Sequence, residues 1–288
     1  MTAKQEDYYI PNPSPWPFIT ATSVFSTLLG LALIINDLFF GGIFLLAGIL
    51  LFTYLLFEWF GDVIEENNLG LHSKKVDSAF RQGMIWFIAS EVFFFISFFA
   101  SLWYIRNVSV EWLGGTGYLS ATHDFLYNQF DAQWPTAGPG AVGGGFSPME
   151  AWGIPALNTF ILLTSGATIT WAHWGLKTEN RKLLVGGLIT TIILGLIFVV
   201  MQAWEYQDAY EHLNLTLRSG VYGSTFYILT GFHGLHVITG SIMLASILGR
   251  SIKGHFSPKS HFGFEAVAWY WHFVDVVWLA LFFLVYML

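Results

Sequence analysis

Apolar residues along this chain come in long uninterrupted runs, and the polar residues gather in the gaps between them. Seven such runs stand out: Trp16–Ile35, Phe39–Phe60, Arg81–Tyr104, Trp152–Leu176, Lys182–Tyr206, Tyr222–Gly249 and Phe262–Leu288. Each is long enough to cross a bilayer as a helix, which takes ~20 apolar residues. The pattern predicts an all-α integral membrane protein with seven transmembrane helices. The first two runs are separated only by "NDL", so they are expected to form a tight helical hairpin.

The gaps carry an orientation. Lys4, Lys74, Lys75, Arg81, Lys177, Arg181, Lys182, Arg250, Lys253 and Lys259 all fall on one side of a seven-span arrangement, and only Arg106 and Arg218 fall on the other. Basic residues mark the cytoplasmic side, so the N-terminus is expected inside and the C-terminus outside. The chain reads as a single membrane domain over residues 1–288, with one long outer loop over 105–150. That loop contains "AGPGAVGGGFSP", which has neither a helical nor a strand period. No internal repeat is visible, against a transporter built from inverted halves.

Composition agrees with the pattern. Of 288 residues, 55% are hydrophobic and 11% charged, with a mean hydropathy of +0.57; soluble domains carry about 25% charged residues. The 13 Trp include Trp16, Trp59, Trp103, Trp171 and Trp174 near span ends, as an interfacial aromatic belt requires. A net charge of −7, with no phosphate-binding glycine loop, gives no basis for nucleic-acid binding. The absence of cysteine excludes disulfides and thiolate chemistry. The N-terminus lacks the basic start and small-residue cleavage site of a signal peptide, so the chain is expected to insert through its own spans.

Candidate chemistry lies in the ionisable residues within the spans. Such groups are costly in hydrocarbon and face protein or water. Glu91 sits roughly 15 Å past Arg81 at 1.5 Å of rise per residue, near mid-bilayer, with no partner nearby in sequence. Span 6 carries His233 and His236 on one face; span 7 carries Glu265, His272 and Asp275. Measured from Arg250 and Lys259, His236 and His272 lie about 20 Å deep, and His233 and Asp275 about 25 Å. Polar faces of spans 6 and 7 can therefore meet at matching heights. Three readings follow: interhelical hydrogen bonding, proton or water handling with Glu91, and haem or metal ligation. Gly166, Gly231, Gly234 and Gly240, beside small hydroxyl residues, are read as close-packing positions. The inner segment "EWFGDVIEENNLGLHSKK" can hold a phospholipid headgroup by charge and donor contacts; a plain juxtamembrane loop is the other reading.

Four stretches carry a family resemblance: "FRQGMIWFIASEVFFF", "LNTFILLTSGATITWAH", "SGVYGSTFYILTGFHGLHVITGS" and "FGFEAVAWYWHFVDVVWL". With them the chain resembles subunit III of haem–copper cytochrome c oxidases over nearly its whole length. The outer loop and "AWGIPALNT" are similar to bacterial members, implying a multi-pass protein of a bacterial inner membrane. The resemblance implies helices in two groups, spans 1–2 and spans 3–7, with a cleft between them that holds phospholipid. It implies a non-redox accessory subunit of a proton-pumping oxidase, with haem and copper in partner subunits I and II and cytochrome c as substrate of the complex. The chain itself would carry no catalytic residue, no metal and no cofactor beyond bound lipid. Its role would be to stabilise subunit I and support proton uptake. The implied lipid contacts are Trp59, Glu66, His72 and Arg250; the implied buried polar or proton-handling residues are Glu91, His233, His236, His272 and Asp275. The sequence departs from the family pattern at Phe60, Gly61, Trp174 and Ser219. The rivals are a haem- or metal-binding oxidoreductase using His233, His236 and His272, and a transporter with Glu91 as its central carboxylate.

Overall fold

The computed structural model of the chain describes residue 9 and residues 13–116, 120–141 and 143–287. Lys4, used above for orientation, and Leu288, the expected end of the last span, lie outside the described residues. Among those residues the structure is helical throughout, with an isolated bridge at Ser257 and Ser260 and no strand. The helices are α1 (Trp16–Ile35), α2 (Gly41–Asn68), α3 (Lys74–Tyr104), α4 (Val110–Leu113), α5 (Ser120–Leu126), α6 (Ile154–Lys177), α7 (Arg181–His212), α8 (Gly220–Lys253) and α9 (Phe262–Leu281). A π-helical stretch, Ile105–Ser109, links α3 to α4, and a second, Phe282–Met287, continues α9.

Every expected span is helical, but most helices overrun the apolar runs. α2 continues through "GDVIEENN", α7 through "QDAYEH", and α3 begins at Lys74. The backbone ladder does not stop where the hydrocarbon does; it stops where a cap or a left-handed residue ends it. α8 ends on Gly254 in the left-handed region, and α7 begins on Asn180, whose side chain accepts from the Leu183 amide at 3.1 Å. Among the described residues six helices are long and apolar enough to cross a membrane: α1, α2, α3 with its extension to Leu113, α7, α8, and α9 with its π continuation. α6, the expected fourth span, has 24 residues but is not among the six. Its buried face carries Asn158, Ser165 and Thr168, which lowers its apolar content where it packs on protein.

The chain divides into two compact units, Met1–Gln82 and Gly83–Leu288. In the first, the buried residues of α1 are Trp16, Ser23 and Gly30, and those of α2 are Gly41, Gly48 and Leu55. A spacing of seven returns to nearly the same helix face after two turns, so each helix offers one narrow seam. Small residues let the two backbones approach: a Cβ on Gly30 would strike Leu45, and one on Gly48 would strike Thr27. The remaining faces expose Phe18, Phe25, Phe44 and Phe57, as suits a hairpin solvated by lipid or by another protein.

The second unit has the larger core. α9 is its most enclosed helix, with 11 of 20 residues buried. The Trp271 ring lies in a slot between Gly195 of α7 and Gly240 of α8, where added Cβ atoms would lie 2.7 and 2.8 Å from it. Its Nε1 donates to Ser165 Oγ of α6 at 2.9 Å, so one side chain ties four helices together. Trp278 Nε1 repeats the arrangement two turns on, donating to Thr159 Oγ1 at 2.9 Å.

Residues 105–150, expected as one long outer loop, include short helices. They begin with the π-helical turn and α4, include α5, and then fold onto the bundle. Phe146 stacks on Tyr222 at 5.3 Å, the Ser147 amide donates to Leu213 O, and the Tyr222 amide donates to Thr136 O. Gly220, at φ +66°, lies so close to Ala137 that a side chain would collide with its backbone. Glycine was therefore informative there through a close approach, which no local period encodes.

Candidate functional site: the buried polar residues

Glu91 projects from α3 and meets His236 of α8, with its Oε2 3.1 Å from Nε2. The other ring nitrogen settles the tautomer. His236 Nδ1 lies 2.6 Å from Phe232 O, and a carbonyl only accepts, so Nδ1 carries a proton. Nε2 then either accepts from a protonated Glu91 or, in an imidazolium, donates to a carboxylate. The two forms differ by the position of one proton along one hydrogen bond. Aromatic rings enclose the pair: Phe95 and Tyr270 lie 5.0 and 6.3 Å from the imidazole.

His233, one turn from His236, is buried between Phe198 and Trp278, with ring centroids 5.6 and 5.1 Å away. Its Nε2 donates to Val274 O of α9 at 3.2 Å. Helices α8 and α9 thus meet at the height expected, but through a backbone carbonyl and not through Asp275. Asp275 instead lies 3.5 Å from His272 Nδ1, and its Oδ2 occupies the space that a side chain at Gly166 would fill. His272 is half-exposed, with Nε2 3.4 Å from Thr170 Oγ1. The three histidines therefore engage three different sets of partners and do not converge on a common centre.

The expected lipid contacts divide between the units. In the first, His72 Nε2 lies 3.4 Å from Glu66 Oε2, and Tyr9 Oη donates to Glu66 Oε1 at 3.0 Å. Phe80 packs edge-on to the His72 ring at 5.3 Å. Trp59 is exposed on α2 two turns before Glu66, on the same face. This places an acid, an imidazole, a phenol and an indole at one end of the hairpin. Arg250 belongs to the second unit, its guanidinium 4.4 Å over the Phe256 ring and packed against Gly263.

One cluster was not anticipated. His173 of α6, His261 and Glu265 of α9 bring three ligand atoms within 4.8 Å of one another, whereas the sequence reading assigned no metal ligand. Glu265 Oε1 is 3.2 Å from His261 Nε2 and 3.7 Å from His173 Nε2; His261 Nδ1 donates to Ser257 O. Two imidazoles and a carboxylate at this spacing could take a divalent ion, or act as an ion-paired knot between α6 and α9. Glu265 and His261, four apart in sequence, were a visible signal. The third member, 88 residues upstream of His261, was not.

Similarity to known proteins was assessed over the whole chain. The profile of the family "Cytochrome c oxidase subunit III" matches residues 6–288. Cytochrome c oxidase subunit 3 of Scyliorhinus canicula is 41% identical over 287 residues, covering 99% of this chain and 98% of the relative. The proteins of that name from Struthio camelus and Equus caballus are 40% and 42% identical over 288 residues, at the same coverage.

Proposed function

The chain belongs to the cytochrome c oxidase subunit III family, and from that premise we propose how it serves the oxidase. It is a multi-pass membrane protein and an accessory component of the oxidase complex. In our reading it crosses the membrane seven times, α6 included, with its N-terminus inside and its C-terminus outside. The odd count is supported by the basic residues, ten of which share one side only if α6 crosses. The lipid-holding cleft that the resemblance implies is part of this reading. So is a bacterial inner membrane, although the relatives named above are vertebrate.

The direct partners are subunits I and II, which carry haem and copper. The subunit braces subunit I, holds phospholipid, and keeps proton delivery to the catalytic subunit efficient. Phospholipid contacts fall to Trp59, Glu66 and His72 in the first unit and, taken by itself, to Arg250 in the second, which offer the charge and donor contacts a headgroup needs. Proton support rests on the Glu91–His236 bond: a proton shifts along it between carboxyl and imidazole without changing the net charge of the pair, and uptake or release of one proton changes that charge by one. That bond is the observation that carries the proposal, with His233, His272 and Asp275 holding the surrounding helices in register.

The experiment is to purify the oxidase with and without this chain. Loss of the chain should shorten the turnover lifetime and lower the protons pumped per electron. Unchanged lifetime and unchanged pumping together would refute the bracing and proton roles.

A further inference from the structure

The second unit holds a buried polar cluster that none of these roles uses. Glu205 of α7 is fully buried; its Oε1 accepts from Tyr286 Oη at 2.6 Å, and its Oε2 has no hydrogen-bond partner among the described residues. Gln202 lies one turn away on the same face of α7, with its amide close to the Glu205 carboxyl and the Tyr286 hydroxyl, but among the described residues neither amide atom is in full hydrogen-bond geometry with a partner. Asn158 of α6 is also fully buried, with both amide atoms unpartnered among the described residues.

Helix register brings Asn158 to the level of Gln202, one turn from Glu205. Thr168 of α6 bonds Thr191 of the antiparallel α7 at 2.7 Å. Moving about three turns toward the loop end from that pair reaches Asn158 on one helix and the level of Gln202 on the other. The Trp278–Thr159 bond fixes the same level on α9.

Five polar atoms out of water, each costly if left unmet, call for a ligand. Their chemistry selects it. A cation would be served by Asn158 Oδ1, Gln202 Oε1 and Glu205 Oε2 but would leave two amide donors orphaned. An anion would face Glu205. Water both donates and accepts, and because both atoms of each amide are free, flipping either amide leaves the inventory unchanged. A buried water makes about three hydrogen bonds, so roughly two waters satisfy the set.

A route to solvent adjoins it. Tyr286 also lines a recess of about 340 Å³ at the loop end, together with Trp134, Glu150 and Tyr222. Tyr286 therefore touches both the recess and Glu205. We propose that Asn158, Gln202 and Glu205 form an internal water-binding site, and that Glu205 exchanges its proton with solvent in the recess past Tyr286.

The test uses the intact oxidase complex. A high-resolution density map should show about two ordered waters within hydrogen-bond distance of these three side chains. Infrared difference spectra should show a protonated carboxyl band that shifts on transfer to D2O buffer. That band should vanish in Glu205→Gln and move to higher frequency in Tyr286→Phe, which loses the donor to Oε1. Asn158→Leu with Gln202→Leu should remove the waters; should that variant fail to assemble, the wild-type map still decides. A dry site, an oxygen-coordinated cation there, or a Glu205 band that never exchanges would each overturn the proposal.

Discussion

Glu91 shows how little of a buried carboxyl's situation is local. Its run of sequence contains no partner, and the partner it has, His236, stands 145 residues away. Because His236 Nδ1 is committed to Phe232 O, Glu91→Gln retains a donor toward Nε2, and the bond survives if the native pair is neutral. We expect Glu91→Gln to assemble with a stability change below about 1 kcal/mol. His236→Phe leaves the carboxyl unpartnered and should destabilise by about 1–3 kcal/mol. Thermal unfolding of the purified complex checks both. A larger loss in Glu91→Gln than in His236→Phe would mean that the native pair is ionic.

At the scale of helices, close packing decides more than polarity. Four glycines in spans 4 and 6 were expected as packing positions, and the structure separates them. Gly166 and Gly240 lie where a side chain would collide, Gly231 has one ordinary neighbour, and Gly234 faces open space. Gly195, against the other face of Trp271, gave no signal beyond being one more glycine in an apolar run. Gly240→Val should push on the Trp271 ring and cost about 1–3 kcal/mol. Gly186→Ala, at a helical position with nothing near it, should be neutral or slightly stabilising, since alanine is the better helix former. Melting temperatures of the two variants test the contrast. The seven-residue seam of the α1–α2 hairpin was likewise present in the sequence as Ser23, Gly30, Gly41 and Gly48. It became readable only once the two helices were known to pair along it.

For the molecule as a whole, what the sequence revealed was whatever lipid imposes: helical runs and the charge asymmetry of the gaps. Helix ends were not legible, because termini are set by caps and not by hydrocarbon. Neither were the folding of residues 105–150 onto the bundle or the His173–His261–Glu265 knot, since both depend on contacts between distant segments. α6 is the sharpest case, a helix whose polar face suits its neighbours and weakens its own membrane signal. The chain has no cysteine, so single cysteines report topology cleanly. Lys75→Cys, Thr178→Cys and Lys259→Cys should label with an impermeant thiol reagent from the cytoplasmic side, and Glu150→Cys and Asn214→Cys from the opposite side. Labelling of positions 150 and 178 from the same side would mean that α6 does not cross.

We propose that this subunit supports an oxidase whose electron carriers lie in other subunits, its own buried ionisable groups being engaged with one another and with neighbouring protein. Haem and copper per complex, measured before and after this chain is stripped away, test that most directly. The account predicts unchanged stoichiometry in the remaining complex and no visible absorption in the released chain. Loss of haem or copper along with the subunit would contradict it.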